Sequence, residues 1–262
     1  MYSEFVNASS LMPPPSIFIG HGSPTSFLDD PKYVKGLQAV ASKLEKPKCI
    51  LVVSAHWQTD GLFFTNNAQN PLIYDFYGFP QEMYEIEYPT SGYPDAANDL
   101  KEIFPDISGV KRGLDHGAWT ALKPLFPKGD IAVVQLSIDA NLSFQQHYEL
   151  ALKLDALKDK GYLIIGSGNI THNLRAISFD GDFTVSWAMD FHSQIIQAIK
   201  DKNLSLLLDP HSLGEVARLS LPSSEHYIPL IYSLGNLTKT NNVEFFNEYF
   251  MYGSLAMTGL IH

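Results

Sequence analysis

Five histidines of this chain lie at or just after the ends of apolar runs, where an imidazole could bind a transition metal or transfer a proton near neutral pH. They are His21, His56, His116, His172 and His226, and each has Gly, Ser or Asn within two residues. A catalytic metal site uses about three protein ligands and leaves positions open for substrate. These histidines come from distant parts of the chain, so no local spacing certifies a site, and each alone could be structural. Together they predict a metal site if the fold brings them to one edge.

The segments before these histidines predict the framework that positions them. The run from Cys49 to Trp57 is apolar, rich in β-branched residues and without alternation, which is typical of a strand buried on both faces of a sheet. Further buried strands are predicted at 17–19, 131–138 and 161–165. In α/β sheets, ligands collect at the carboxyl ends of the strands. We therefore expect several of the histidines to meet on one rim.

Helical spacing of apolar residues predicts helices over 31–45, 94–104, 143–158 and 186–200, the third with Ser143 as its N-cap. Another helix is predicted to start near Pro222, with His226 at its amino end. Residues 60–94 predict a long aromatic loop, which either walls a pocket or merely covers a sheet edge. In the segment from Gly113 to Trp119, Asp115 and His116 would face opposite ways on a strand, whereas in a loop both could reach a cleft. We expect an ordinary surface or groove position for His147 and ordinary surface positions for His192 and His211.

Composition limits the class of protein. The chain has 262 residues, a net charge of -10 and no cluster of Lys or Arg, which argues against nucleic acid and anionic membranes as partners. One cysteine excludes an intramolecular disulfide, and no apolar run reaches the roughly 18 residues of a membrane span. The amino terminus lacks the pattern of a signal peptide. We expect a single α/β domain over residues 1–262, located in the cytoplasm, as a monomer or small homo-oligomer.

Each of the five histidines lies in a short motif. The motifs are Gly20-His21-Gly22-Ser23-Pro24, Val53-Ser54-Ala55-His56-Trp57, Leu114-Asp115-His116-Gly117-Ala118-Trp119, Gly166 to Leu174 around His172, and Glu225-His226-Tyr227-Ile228-Pro229-Leu230. Together they resemble the motifs of the class III extradiol ring-cleavage dioxygenases. The branch they resemble is the 4,5-DOPA extradiol dioxygenase group, related to the catalytic subunit of protocatechuate 4,5-dioxygenase. The resemblance spans residues 16 to 232 in the family's order and implies one α/β domain with a central mixed sheet flanked by helices.

The resemblance also implies roles for individual residues. His21, His56 and His226 match the metal ligands, although the protocatechuate enzymes use a glutamate at the last position, which makes Glu225 the competing ligand. His172 matches a histidine described either as a further ligand or as an acid/base beside the metal. His116 matches a histidine that contacts substrate or oxygen. The implied cofactor is one divalent ion per chain, Fe2+ for activity, with Zn2+ as a metal that the isolated protein can carry.

The implied reaction is the cleavage of a small DOPA-like catechol by O2 beside its two hydroxyl groups, which gives a muconic semialdehyde. The segment after His172 is Asn173-Leu174-Arg175, which differs from the plant pigment-forming enzymes, so the sequence leaves the catechol open. Arg175 is either a ligand for a substrate carboxylate or an ordinary surface residue. Two other classes of function stay open from the residues alone. One is a zinc hydrolase that uses the same histidines to activate water, and the other is a binding module whose histidines only stiffen loops.

Overall fold

The buried apolar runs of the sequence form the middle of a sheet in the computed structural model, which describes residues 14–179, 183–240 and 242–262. Residues 1–13 lie outside these ranges. The signal-peptide prediction concerns these residues, and the predicted 1–262 domain begins with them. The strands are β1 (Ser16–Gly20), β2 (Cys49–Thr59), β3 (Phe63–Thr65), β4 (Gln69–Asn70), β5 (Thr90–Ser91), β6 (Ser108–Val110), β7 (Ala132–Asp139), β8 (Tyr162–Gly168), β9 (Glu244–Phe246), β10 (Phe250–Met251), β11 (Leu255–Ala256) and β12 (Gly259–Ile261).

Eight of the described strands make one mixed sheet in the order β6-β3-β7-β2-β8-β1-β12-β9. Its centre is parallel, because β7, β2, β8 and β1 pair side by side in the same direction. Antiparallel pairs bound this centre, with β3 next to β7 and β12 next to β1 and β9. The carboxyl ends of the four parallel strands therefore share one edge of the sheet. This architecture confirms the expected single α/β domain with a mixed central sheet.

Helices cover both faces of this sheet. They are α1 (Ser26–Asp29), α2 (Pro31–Ala41), α3 (Ala96–Ile103), α4 (His116–Leu125), α5 (Phe144–Leu154), α6 (Ser186–Lys200), α7 (Leu204–Leu207), α8 (Glu215–Ser220) and α9 (Ile228–Ser233). Alternate residues of β2 face opposite ways, as the two-residue period of a strand requires. Ile50 and Val52 pack in the cluster that includes α2 and α4, whereas Leu51 and Val53 pack in the cluster that includes α5 and part of α9. Both faces of the central strands are therefore buried, as the unalternated run predicted.

Local capping explains where several helices begin. Asp30 accepts hydrogen bonds from the backbone N–H groups of Lys32 and Tyr33 and starts α2 at Pro31. Ser143 and Gln146 form a reciprocal capping box at the start of α5, which confirms Ser143 as the N-cap. The predicted helix over 143–158 ends earlier, because its last residues form a 3₁₀ segment, Asp155–Lys160.

Three predictions about elements were wrong. The predicted loop 60–94 contains β3, which joins the main sheet, together with the short strands β4 and β5. The segment from Gly113 to Trp119, for which a strand and a loop were considered, instead starts helix α4 at His116, with Asp115 as its N-cap. The last helix, α9, begins at Ile228, so His226 precedes it by two residues and no serine side chain caps it. Within the described ranges, no helix has the length and apolar character that crossing a membrane requires.

Candidate metal centre

Neighbouring parallel strands bring His21 and His172 to the same edge of the sheet. Strand β8 lies between β1 and β2, and Gly20 pairs with Gly168 at the ends of β1 and β8. His21 follows β1 directly, and its backbone N–H donates to the Gly168 carbonyl at 3.0 Å. His172 lies four residues beyond the end of β8. The expected meeting of strand ends at one rim is therefore confirmed for these two residues.

His56 lies within β2, and a break in the strand pairing brings its side chain to the same rim. Val53 pairs with Leu136 of β7 and Gln58 pairs with Ile138, so residues 54 to 57 of β2 face a single residue of β7. Extra residues of this kind bend a strand and redirect its side chains. The His56 side chain is 21% exposed, although the residues before it in β2 are buried.

His226 reaches the rim because the segment before α9 packs tightly on the end of β8. The Asn169 N–H donates to the His226 carbonyl at 2.8 Å, and a Cβ atom at position 168 would overlap that carbonyl. Gly117 has a similar role, because a Cβ there would lie 2.7 Å from the His56 ring. The glycines beside the histidines in the sequence therefore permit close contact between segments.

Three imidazoles converge on one point. One ring nitrogen from each of His21, His56 and His226 lies within 4.8 Å of the other two. The Nε2 atoms of His21 and His56 are 3.2 Å apart. Nitrogens at this spacing can contact a common ion, since zinc–imidazole bonds are about 2.0–2.1 Å long.

Hydrogen bonds at the far side of two rings fix which nitrogen is free. The Ser167 hydroxyl donates to the Gly117 carbonyl at 2.6 Å, so it can only accept from Nδ1 of His21, 3.0 Å away. Nδ1 of His226 lies 3.0 Å from the Glu225 carboxylate and donates to it. Both rings therefore carry their proton on Nδ1 and keep the Nε2 lone pair. Nε2 of His226 is buried without a hydrogen-bond partner among the described residues. This orphaned atom and its two neighbours fit a bound divalent cation.

The electrostatics of the cluster keep these rings neutral. Burial lowers the pKa of His56 to about 4, with the neighbouring His116 as the next cause. The pKa of His21 and that of His226 lie well below the ordinary value of 6.5. Burial is the largest cause, and the neighbouring histidines are the next. A neutral imidazole is the form that binds a metal. The cluster therefore offers three lone pairs at pH 7 without first losing protons.

His172 stacks on His226 rather than joining the convergent set. The two rings are nearly parallel, with centroids 3.4 Å apart, and His172 groups instead with Glu225 and His226. Burial first, and His56 second, lower the pKa of His172 to about 4. Within the part of the chain that the structure describes, neither ring nitrogen of His172 makes a hydrogen bond. They are therefore free to exchange a proton with a molecule in the cavity.

His116 is held on the opposite wall by Asp75. Nδ1 of His116 lies 3.0 Å from Oδ1 of Asp75, which also accepts the backbone N–H of His116 at 2.8 Å. The second Asp75 oxygen lies 3.8 Å from Nδ1 of His56. Burial raises the pKa of Asp75, but its contacts with His116 outweigh burial and lower the pKa to about 2. Asp75 is therefore an anion that orients one imidazole and faces a second.

A cavity of about 820 Å³ opens over these histidines, within the range of small-molecule sites. All five candidate histidines line it, together with Asp75, Glu225 and an apolar outer wall that includes Tyr77, Phe79, Leu174, Phe179 and Tyr252. Of the two roles that the sequence left open for the aromatic segment, the cavity lining supports the pocket wall. Tyr74 and Phe76 pack against Trp119, whereas Tyr77 and Phe79 line the cavity.

The family model for the catalytic LigB subunit of aromatic ring-opening dioxygenase matches residues 15–259. The chain belongs to this family. The LigB family membership makes it an enzyme of the extradiol dioxygenase type and implies a small aromatic substrate and O2. It also confirms the class III resemblance drawn from the five motifs.

Similarity to individual proteins supports the assignment of this chain to the LigB family. A 4,5-DOPA dioxygenase extradiol of Escherichia coli K12 is 36% identical over 98% of this chain and 97% of the relative. A protein of the same name from Beta vulgaris is 35% identical over 93% of this chain and 96% of the relative. The crystal structure of an uncharacterized Escherichia coli K12 protein superposes with a TM-score of 0.82, at 33% identity, over 94% of this chain and 98% of the other.

Sequence reasoning missed the partners that orient the histidines in this LigB-family site. Asp75 lies in the aromatic run that was interpreted as a pocket wall or as a cover for a sheet edge, and Ser167 lies in a Gly-Ser-Gly stretch within β8. Asp115 was expected to reach the cleft beside His116. It is instead fully buried, where it accepts the Ser54 hydroxyl at 2.6 Å and the Ala118 N–H at 3.1 Å. An acidic residue directly before a helix start was the signal for this cap.

Proposed function

We propose that this protein is a metal-dependent extradiol dioxygenase that opens the ring of a catechol with O2 beside its two hydroxyl groups and yields a muconic semialdehyde. The observation that carries the proposal is the convergence of one nitrogen each from His21, His56 and His226 within 4.8 Å. Three nitrogen ligands on one side leave the cavity side of an ion for other molecules. The names of the relatives from Escherichia coli and Beta vulgaris support a DOPA-like catechol as the substrate class.

The metal that we propose for the active protein is Fe2+, held by His21, His56 and His226. Neutral imidazoles also suit Zn2+, which has no redox chemistry and would give an inactive dioxygenase. When bound, Fe2+ supplies the redox chemistry that O2 requires and acidifies a coordinated phenol. Glu225, the alternative ligand, contacts Nδ1 of His226, which supports a role in orienting that ring.

His172 is our proposed acid/base. His172 lines the cavity, its ring nitrogens make no hydrogen bond among the described residues, and its lowered pKa leaves it neutral at pH 7, so that it can accept a proton from the second catechol hydroxyl. The protonated ring can later return that proton as an oxygen–oxygen bond breaks. The alternative role as a fourth ligand has less support, because His172 lies outside the convergent set.

His116 is our proposed substrate contact. Asp75 holds its Nδ1 side, which turns the remaining edge of the ring away from the carboxylate. His116 lines the cavity, and its ring centroid is 3.9 Å from that of His56. Groups fixed in this way can stabilise charge that develops on oxygen without reorganising first. Phe76 packs edge-on against His116 at 5.7 Å and limits how the ring can rotate.

The test is oxygen uptake with defined metal loading. The purified protein is loaded with Fe2+ without oxygen, mixed with a panel of catechols, and exposed to air while O2 and visible absorbance are recorded. We expect one O2 consumed per catechol and a yellow semialdehyde product. The same protein loaded with Zn2+, and the H56A variant given Fe2+, serve as inactive controls.

Hydrolysis of esters or amides by the Zn2+-loaded protein, without oxygen uptake by the Fe2+ form, would overturn this proposal. The same histidines would then activate water, as in the zinc hydrolase alternative. Failure of the wild-type chain to retain any divalent ion would instead favour histidines that only stiffen loops.

A further inference from the structure

Arg175 differs from the other two arginines of the chain. Arg112 lies 3.2 Å from the Asp115 carboxylate, and Arg218 makes two contacts with Glu215. Among residues 14–179, 183–240 and 242–262, no carboxylate lies within 4 Å of Arg175. Arg175 is exposed and lines the cavity. An arginine at the wall of a substrate cavity, with no carboxylate near it among the described residues, can bind an anion from solution.

The backbone that carries Arg175 is fixed, although the side chain is exposed. Arg175 lies in the 3₁₀ turn Leu174–Ala176, three residues after His172, and its N–H donates to Oδ1 of the buried Asn173 at 3.0 Å. The Asn173 amide donates to the Leu219 carbonyl at 2.7 Å, and the Ser254 hydroxyl donates to the Asn173 carbonyl at 2.9 Å. The backbone of Arg175 is therefore held at a fixed place on the wall, three residues after His172. Such support reduces the entropy lost when a side chain binds a ligand.

The acidic residues of the cavity lie against its histidines, whereas no contact of either with Arg175 is found among the described residues. The two acidic residues that line the described cavity, Asp75 and Glu225, both contact histidines at 3.0 Å. Histidine apart, Arg175 is the one basic side chain among the described lining residues. A planar guanidinium binds a carboxylate through two parallel hydrogen bonds.

Apolar side chains surround Arg175 and suit the carbon atoms between a ring and a carboxylate. Leu174 is 58% exposed, and Phe179 packs edge-on against Tyr252 with ring centroids 4.7 Å apart. All three line the same cavity as Arg175. Tyr252 has φ 51°, an unfavourable backbone conformation for a bulky residue, and such strain concentrates at functional sites.

We propose that Arg175 binds a carboxylate on the side chain of the substrate and so selects anionic catechols over neutral ones. The proposal rests on the proposed function for the placement of the catechol ring near the histidines. It assigns the outer part of the cavity to the side chain of the substrate and the inner part to its diol.

The experiment compares 3-(3,4-dihydroxyphenyl)propionate with its primary amide, which has nearly the same shape and no charge. Equilibrium binding to the Zn2+-loaded protein is measured by calorimetry, and turnover by the Fe2+-loaded protein is measured in parallel. We expect the wild-type protein to prefer the acid by about 10- to 100-fold in Kd and in kcat/KM, the size of a hydrogen bond to a charged group. R175M should abolish the preference by weakening the acid alone, and R175K should keep part of it.

R218M is the matched control, because it removes an exposed arginine that does not line the cavity and should leave the preference unchanged. Equal binding of acid and amide by the wild-type protein, or an equal loss of both in R175M, would overturn the role of Arg175. If the wild-type protein binds the acid more tightly than the amide and R175M abolishes this preference, but no oxygen is consumed, the carboxylate-binding role of Arg175 is supported and the dioxygenase proposal is refuted. Oxygen uptake without a preference would do the reverse.

Discussion

Histidines of this chain occur in two kinds of buried environment. His147, His192 and His262 lie away from the cavity, and burial lowers the pKa of each to about 4. Each has one polar partner of its own: the Tyr232 hydroxyl, the Thr258 hydroxyl and the Ser233 carbonyl, respectively. At the rim of the sheet, burial is again the first cause of the lowered pKa of His21 and His226, but other histidines come next.

The comparison shows that burial and an orphaned nitrogen do not by themselves make a metal site. Nε2 of His147 and Nε2 of His226 are both buried without a hydrogen-bond partner among the described residues. His226 has two further imidazole nitrogens within 4.8 Å, whereas His147 belongs to none of the metal-compatible groups found in the described ranges. Convergence of several lone pairs is therefore the property that separates the two environments.

The largest expected effect follows from removing one convergent nitrogen. H226A should lose stoichiometric Fe2+ and reduce ring cleavage by more than about 100-fold, since changes in the partners of ligands alone cost about 10–100-fold. Metal content after gel filtration and oxygen uptake measure the two effects. H192Q is the control from the other environment, because His192 lies outside the cavity and glutamine can still bond the Thr258 hydroxyl. Equal metal content in H226A and wild type would remove the distinction between the two environments.

For a substitution of His172, we expect a small effect on metal content and a large effect on turnover. H172Q should keep its Fe2+ and lose about 10²- to 10⁴-fold in kcat, the usual contribution of a general acid or base. The reason is that His172 stacks on His226 without joining the convergent nitrogens. Metal content and steady-state oxygen uptake are measured on the same preparation. Loss of Fe2+ from H172Q would make His172 a fourth ligand.

Glu225 tests whether the partner of a ligand matters more than an ordinary surface carboxylate. E225Q should weaken Fe2+ binding by about 10- to 100-fold, because a neutral amide supports the Nδ1–H of His226 less well than a carboxylate. A competition titration with a coloured chelator measures the affinity. E215Q, which changes an exposed glutamate paired with Arg218, should leave the affinity unchanged. A complete loss of metal in E225Q with retention in H226A would make Glu225 the ligand in place of His226.

The sequence predicted the parts of this site that depend on local pattern. The unalternated run at Cys49 identified the central strand, and the ends of such runs identified the rim where His21, His56 and His172 meet. His226 was also among the candidates from the residues alone, and the family motifs identified it as a metal ligand. These features were predictable because burial on both faces leaves a continuous apolar run in the sequence.

The remaining features depend on contacts between distant segments. Asp75 orients His116 across 41 residues, and nothing in an aromatic loop indicates which acidic residue faces a histidine. His147 was assigned to a surface or groove because histidines in amphipathic helices usually lie there, yet it is fully buried beside Tyr232, 85 residues away. The pairing break that redirects His56 depends on the register of β2 against β7. Helix α4 was missed because Gly117 and Pro124 disfavour a helix locally, whereas the Asp115 cap and burial of the helix stabilise it.

The smallest expected effect concerns stability and comes from His147, one of the buried histidines that lie away from the cavity. His147 has a pKa of about 4 when folded and about 6.5 when unfolded, so below pH 6.5 the unfolded chain binds a proton that the folded chain does not. The stabilisation is therefore complete above pH 6.5 and is lost as the pH falls toward 4, by on the order of 2 to 3 kcal/mol for this residue. In urea unfolding of the metal-free protein, H147N should lower the free energy of unfolding at pH 7 more than at pH 5. Asparagine cannot titrate, so any packing cost appears at both pH values and cancels in the difference. An unchanged difference between pH 7 and pH 5 would show that His147 does not carry this pH dependence, and it would leave the other buried histidines as its source.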